Sequence, residues 1–405
     1  MVTSGGRDVG FYEELGVPTL INAAGPLTRL GGNRLSADVL AAMAEASASF
    51  VHLDQLQAEA GKVIAASTRA EAGYVASGAS AGLSLATAAC VAGMDISAFD
   101  RLPDTTGMRD EVVVQRGHRN SYDHAIRAVG VQMVEVGYLG HPGAGGTFGW
   151  QIDAAIHERT AAVACPIMDT PGTLPLAEVC EIAHARGVPV IVDAAAELPP
   201  RANLRRFIAE GADIVVFSGG KAIGGPQASG IVAGRANLIA SIALQHQDMD
   251  VRPPTWNRRD LLDGTLVGIP HQGFGRAMKV GREEIAGLIT ALRAYAAGDD
   301  GADRETWMAL LEIVAEELGE PDGVRVRRRL NVAKPVPLLS ITVDPARVGL
   351  TGYGVVAALL AGETPIAVAE SYAEHDVVIV NPQGLTEAEA TTVGRRLREA
   401  LGGAG

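Results

Sequence analysis

Lys221 stands between two glycine pairs, Gly219-Gly220 and Gly224-Gly225, directly after the apolar run Ile214-Val-Val-Phe217 and Ser218. Glycines let backbone and bulky ligands come close. A lysine held there suits a cofactor aldehyde, because a desolvated amine loses its proton readily and can form a Schiff base. A solvated loop lysine is the competing reading of this stretch alone. A Walker A loop is excluded: Val215 stands where glycine is required, and Ala222 where Ser or Thr would bind magnesium.

Asp193 closes a second apolar run, Val190-Ile-Val-Asp193. A carboxylate there is costly unless something positive pairs with it. The pyridinium nitrogen of pyridoxal phosphate is such a partner, and holding it protonated makes the ring an electron sink. Ser77-Gly78-Ala79-Ser80 lies between a strand pattern and a helical one. Free backbone N–H groups and the helix dipole would make it a phosphate seat; an ordinary serine N-cap is the other reading. Ser218 can add a hydroxyl to the same phosphate. His118, in Arg116-Gly-His-Arg-Asn120, could stack on the ring face or be a structural histidine. Lys221 would first hold the cofactor as an imine and then act as the base that removes the substrate's α proton.

The elements that must position these residues alternate. Strands are expected at residues 73–76, 111–115, 132–136, 161–167, 189–192 and 214–217, with helices between them such as 81–92 and 176–186. That rhythm predicts an α/β fold with a mostly parallel sheet covered on both faces, whose ligands sit at the carboxyl ends of strands. Ser77, His118, Asp193 and Lys221 all fall at or just after such ends. Before the sheet, residues 20–25 read as an extended piece, Thr28-Arg29-Leu-Gly-Gly32 as a turn, and Ser36 as the cap of a helix. Beyond Gly275 one long helix is expected over 276–297 as a linker out of the sheet domain. A smaller α+β domain follows. The expected division is 1–55 for an N-terminal arm and helix, 56–275 for the large cofactor-binding domain, and 276–405 for linker helix and small domain.

Composition narrows the partners. The 405 residues carry a formal charge of −13 and no basic run, which argues against nucleic acid. Cys90, Cys165 and Cys180 are scattered through apolar segments without zinc-ligand spacing, as buried thiols in a reducing cytosol would be. No signal peptide or apolar run of ~18 residues is visible. A soluble cytoplasmic protein with a small-molecule substrate is expected, and no membrane.

The order of phosphate turn, ring contact, acidic partner and lysine, each at a strand end, carries a resemblance. The chain resembles the selenocysteine synthase-like family of fold-type I pyridoxal phosphate enzymes, nearest its D-glucosaminate-6-phosphate ammonia-lyase branch. The similarity runs nearly end to end. It passes through Leu20-Ile-Asn-Ala-Ala-Gly25, Val190-Ile-Val-Asp-Ala-Ala195, Phe217-Ser-Gly-Gly-Lys-Ala-Ile-Gly-Gly-Pro226, Gly275-Arg-Ala-Met-Lys-Val-Gly281 and Val380-Asn-Pro-Gln383. It implies Lys221 as the Schiff-base lysine, Asp193 as the pyridine partner, and Ser77, Gly78, Ala79, Ser80 and Ser218 as the phosphate site. The expected activity is elimination of water and ammonia from a hydroxy-amino acid or amino sugar acid. A racemase or epimerase shares the first step. Selenium transfer onto seryl-tRNA would need an N-terminal tRNA-binding portion and basic surface, and an idle cofactor-binding protein would not need Lys221 and Asp193. Asn22, Thr28 and Arg29 on the arm are expected to line the substrate entrance. Arg34, Arg119, Arg276 and Lys279 are further cation candidates. A homodimer or higher even oligomer is expected, with residues 263–268 reaching a neighbour's cofactor phosphate.

Overall fold

A computed structural model describes residues 10–139, 146–246, 251–258, 262, 265–330 and 334–402. In chain order its strands are β1 (Ile21–Ala23), β2 (Ala72–Ala76), β3 (Glu111–Gln115), β4 (Gln132–Val136), β5 (Thr160–Pro166), β6 (Val190–Asp193), β7 (Ile214–Ser218), β8 (Gly230–Gly234), β9 (Val324–Arg329), β10 (Leu338–Val343), β11 (Ile366–Tyr372) and β12 (Val377–Val380). They belong to two compact units, Leu35–Gly298 and Met1–Arg34 with Asp299–Gly405.

The larger unit is built on a seven-stranded sheet in the order β2-β8-β7-β6-β5-β3-β4. Its pairs are parallel except for β8, which runs antiparallel to both β7 and β2. Successive side chains of a strand face opposite ways. Val215 and Phe217 accordingly join a core with Ile64, Val113 and Leu288, while Ile214 and Val216 join another with Leu85, Val112 and Ile242. Helices therefore cover both faces, and the strands read as unbroken apolar runs. Six of these strands lie where the sequence puts them. β8 was not anticipated, since Gly230-Ile-Val-Ala-Gly234 is short and has glycine at both ends.

The single helix expected over 276–297 is two elements. A 3₁₀ turn at Phe274–Met278 ends in extended Lys279, and the helix Arg282–Ala297 starts after extended Gly281. Glu283 and Glu284 in its first turn suit a helix start. This helix packs on the helices Ala37–Ser47 and Leu53–Thr68 within the larger unit, so it is not a linker out of it. Ser36 caps Ala37–Ser47 by accepting the Val39 N–H at 3.3 Å, as expected. The unit boundaries, after Arg34 and after Gly298, differ accordingly from the sequence division at 55 and 275.

In the smaller unit the sheet order is β1-β11-β12-β10-β9, and its core gathers Leu339, Ile341, Val355, Val378 and Leu397. The arm enters as an edge strand, β1 pairing parallel with β11 through Ile21↔Ile366 and Ala23↔Val368. Among the described residues no helix is long and apolar enough to cross a membrane, and no cluster of His, Cys, Asp or Glu could hold a metal ion.

Candidate active site

The strands β2, β7, β6, β5 and β3 run the same way, so their carboxyl ends share one edge of the sheet, where β8 begins. Gly230 is paired with Ala76 on one side and Ser218 on the other. The turn after β2 and the end of β7 are therefore separated by one strand, roughly 10 Å. A Cβ on Gly230 would lie 2.5 Å from the Gly78 carbonyl carbon and 2.9 Å from the Ala79 nitrogen. The turn thus folds directly over Gly230, toward Ser218. Gly230→Ala is expected to displace it and weaken cofactor binding about tenfold, the scale of one overpacked atom against backbone. Absorbance titration of the cofactor checks this; an unchanged affinity would remove the turn from the site.

The helix Ala79–Ala92 starts at Gly78, whose φ of +127° favours glycine and whose position offers no side-chain cap. Its first-turn N–H groups have no acceptor within the helix, and the helix dipole adds positive character there. Ser77 is not the N-cap. Its hydroxyl donates instead to the Met278 carbonyl at 2.8 Å. Ser80 is exposed and Ser218 half-buried.

Asp193 ends β6, with one carboxylate oxygen accepting the Ala195 N–H at 3.0 Å. Burial raises its pKa above the usual carboxylate range; the Ala195 hydrogen bond and the Lys221 charge pull it partly back, and Glu197 pushes it up. Lys221 and Asp193 therefore share one electrostatic environment. The lysine loop is tied by its own backbone: Gly219 N–H donates to Ser229, Gly225 N–H to Gly219 and Gly224 N–H to Lys221, at 2.9 to 3.0 Å. Gly220 is required because a Cβ there would lie 2.5 Å from the Gln227 Cα.

His118 sits in the 3₁₀ turn Arg116–His118 after β3, only 3% exposed, with Nδ1 lacking a hydrogen-bond partner. Burial lowers its pKa, so the ring is held neutral. The loop it belongs to reaches Asp193: Asn120, which donates to the His118 carbonyl at 3.1 Å, borders with Asp193 a cavity of about 10 Å³. That is room for a single water.

The expected substrate residues Asn22, Thr28 and Arg29 belong to the smaller unit. Asn22 is occupied with its own turn, donating to the Gly25 carbonyl at 2.8 Å and accepting the Ala24 N–H at 2.9 Å. Asn381 locks the same turn: its N–H donates to Ala23 at 2.8 Å, and its side chain fills the space a Cβ on Gly25 would need. Arg29 pairs with Glu370 at 3.0 Å and Arg34 with Glu389. Arg119, in the larger unit, is held by Asp123 and Glu135. Arg276 and Lys279, with Ser77, line an open cleft of about 890 Å³. Asp263 and Gly264, of the stretch expected to reach a neighbour, lie outside the described residues.

Sequence reasoning missed Tyr74 and His246. The Tyr74 hydroxyl meets His246 Nδ1 at 2.9 Å, and His246 Nε2 meets the Met278 carbonyl at 2.7 Å, beside the Ser77 hydroxyl. A lone histidine at a helix end carries no signal that could have found it.

Residues 20–250 match the family described as SelA, L-seryl-tRNA selenium transferase. The chain is 33% identical over 396 residues to D-glucosaminate-6-phosphate ammonia lyase of Salmonella typhimurium (strain 14028s / SGSC 2262), covering 96% of this chain and 97% of that protein. It is 32% identical over 400 residues to a 5'-C-glycyluridine monooxygenase-decarboxylase of a Streptomyces species, covering 96% and 92%. A solved D-glucosaminate-6-phosphate ammonia-lyase superposes with a TM-score of 0.82 at 32% identity, over 98% of this chain and all of that one. Serine palmitoyltransferase from S. paucimobilis shares the fold, with a TM-score of 0.55 at 14% identity over 94% of this chain and 87% of that one. The chain belongs to the SelA family and has the architecture of the fold-type I pyridoxal phosphate enzymes.

Proposed function

We propose that this protein is a pyridoxal phosphate-dependent ammonia-lyase acting on a hydroxy-amino acid or amino sugar acid. The observation that carries the reading is a half-buried Asp193 carboxylate within reach of the Lys221 charge, on the sheet edge that also holds an open helix N-terminus. The residues fit the cofactor: unpaired first-turn N–H groups suit its phosphate, and a buried neutral His118 ring suits its face. A carboxylate that burial makes costly suits its pyridine nitrogen. When bound, the cofactor supplies an electron sink for charge developing at the substrate's α carbon. Lys221 would anchor it and carry the α proton, and Asp193 would hold the ring nitrogen positive. The β hydroxyl then leaves as water, and water returns as ammonia is released, so the net products are a keto acid and ammonia.

Arg276 and Lys279 beside the cleft are the cations we assign to an acidic or phosphorylated substrate tail; Asn22, Thr28 and Arg29 are assigned to the substrate entrance. The likeness to a monooxygenase-decarboxylase at 32% identity supports a second reading, oxidative decarboxylation of an amino acid. A substrate panel separates them. Keto acid with stoichiometric ammonia and no oxygen uptake supports the lyase, oxygen-dependent carbon dioxide release the second reading, and inverted configuration a racemase.

The net charge of −13 favours a small substrate over tRNA. Seryl-tRNA is expected to show negligible gel-shift affinity at physiological salt; tight, salt-sensitive binding would overturn this. Burial pushes the Cys90, Cys165 and Cys180 thiols up to about 12, which suits inert cysteines in a reducing cytoplasm. An even homo-oligomer is the assembly we expect, and the exposed Phe50 and Val267 of the larger unit are candidates for its interface. Sedimentation at micromolar concentration is expected to give a dimer or larger; a fully active monomer would sink that reading.

A further inference from the structure

The Met278 carbonyl accepts two hydrogen bonds, from the Ser77 hydroxyl at 2.8 Å and from His246 Nε2 at 2.7 Å. A carbonyl oxygen can only accept, so both partners must donate. His246 therefore carries its proton on Nε2. It is 6% exposed, and burial keeps it neutral, so Nδ1 is left as an acceptor for the Tyr74 hydroxyl at 2.9 Å. Burial likewise raises the Tyr74 pKa and keeps that hydroxyl a donor. The two rings meet edge to face, with centroids 5.5 Å apart, which fixes the imidazole. Every proton in this chain of bonds then has one place to be.

The consequence falls on Ser77. With its proton committed to Met278, its oxygen turns only lone pairs toward the phosphate turn, and lone pairs repel an anion. The hydroxyl must rotate before it can donate to a phosphate ester. Were Ser77 the sole donor to Met278, rotation would orphan a part-buried carbonyl, which is costly. His246 removes that cost, because its own bond to Met278 remains. We infer that His246, steadied by Tyr74, is a positioning residue that frees Ser77 to move its hydroxyl from the Met278 carbonyl to a phosphate ester. The inference rests on the reading of residues 77–80 as a phosphate seat.

The test is a binding titration of the full chain, stripped of cofactor, with pyridoxal phosphate and with pyridoxal, which lacks the phosphate. His246→Phe is expected to weaken pyridoxal phosphate about tenfold, the scale of one charge-assisted hydrogen bond, and to leave pyridoxal unchanged. His246→Gln, which keeps an N–H donor, is expected to restore most of the affinity. In a Ser77→Ala background His246→Phe should have no further effect. Tyr74→Phe, the milder change, should weaken pyridoxal phosphate alone by about threefold, and it decides the matter if His246→Phe does not fold. Equal weakening of both ligands, no weakening of either, or an effect that persists without Ser77 would overturn the inference. A native chain that binds neither ligand overturns the cofactor reading itself, and this inference with it; a native chain that binds both leaves that reading standing whatever the variants do.

Discussion

Lys221→Ala is expected to reduce turnover by at least about 10³-fold, within the range that a lost catalytic base commonly costs. The residue is assigned two tasks, anchoring the cofactor and carrying the α proton, and alanine can perform neither. The fold should survive, because the loop is held by backbone bonds among Gly219, Lys221, Gly224, Gly225 and Ser229 that use no lysine side chain. The sequence makes the assignment unusually easy to check, since its lysines are Lys62, Lys221, Lys279 and Lys334. Lys62 is exposed and paired with Glu59, and Lys334 belongs to the smaller unit. Borohydride treatment of the native protein should leave cofactor fixed on the peptide containing Lys221. The variant should release all of it on dialysis. Cofactor fixed by borohydride in the variant would move the anchor elsewhere, Lys279 beside the cleft being the first place to look.

The strand-end places of Lys221 and Asp193 were legible in the sequence for a local reason. Each follows an unbroken apolar run, and in a sheet covered on both faces such runs are strands whose carboxyl ends hold ligands. The partners of these residues were not legible, because they are set by register. Nothing local says that Gly230 sits between Ala76 and Ser218, so neither β8 nor the overlap of the phosphate turn with Gly230 could be read. The commitment of Ser77 to Met278 joins residues 201 apart, and the Tyr74–His246 bond residues 172 apart. The arm was legible only in part. Its mixture of apolar and polar residues looked like a segment reaching for a ligand, yet Asn22 closes its own turn and Ile21 and Ala23 complete a sheet with β11. Asn22 satisfies backbone groups at a strand end, a use that composition cannot distinguish from binding.

Asp193→Asn is expected to split stability from activity in opposite directions. Asparagine keeps the shape and can still accept the Ala195 N–H, but it cannot hold a positive charge on the ring nitrogen. Turnover should fall by about 10²- to 10³-fold, the usual scale for losing one preorganised electrostatic partner. Stability without cofactor should rise. Burial, offset in part by Ala195 and Lys221, leaves the folded-state pKa of Asp193 above its unfolded value. The folded chain therefore holds that proton more tightly than the unfolded chain does, and ionising it costs stability. The cost is absent below the unfolded carboxyl range near pH 4 and grows as pH rises through the folded value. Asparagine never bears it. The cofactor-free variant should thus melt roughly 1–3 °C above the native chain at pH 7.5, and the gap should close on acidification. Adding pyridoxal phosphate should reverse the ranking, because only the aspartate gains a charged partner on binding. Calorimetry with and without cofactor at two pH values measures all of this. A cofactor-free variant that melts lower at neutral pH would mean that the protein already satisfies the carboxylate, and Asp193 would lose its assigned role.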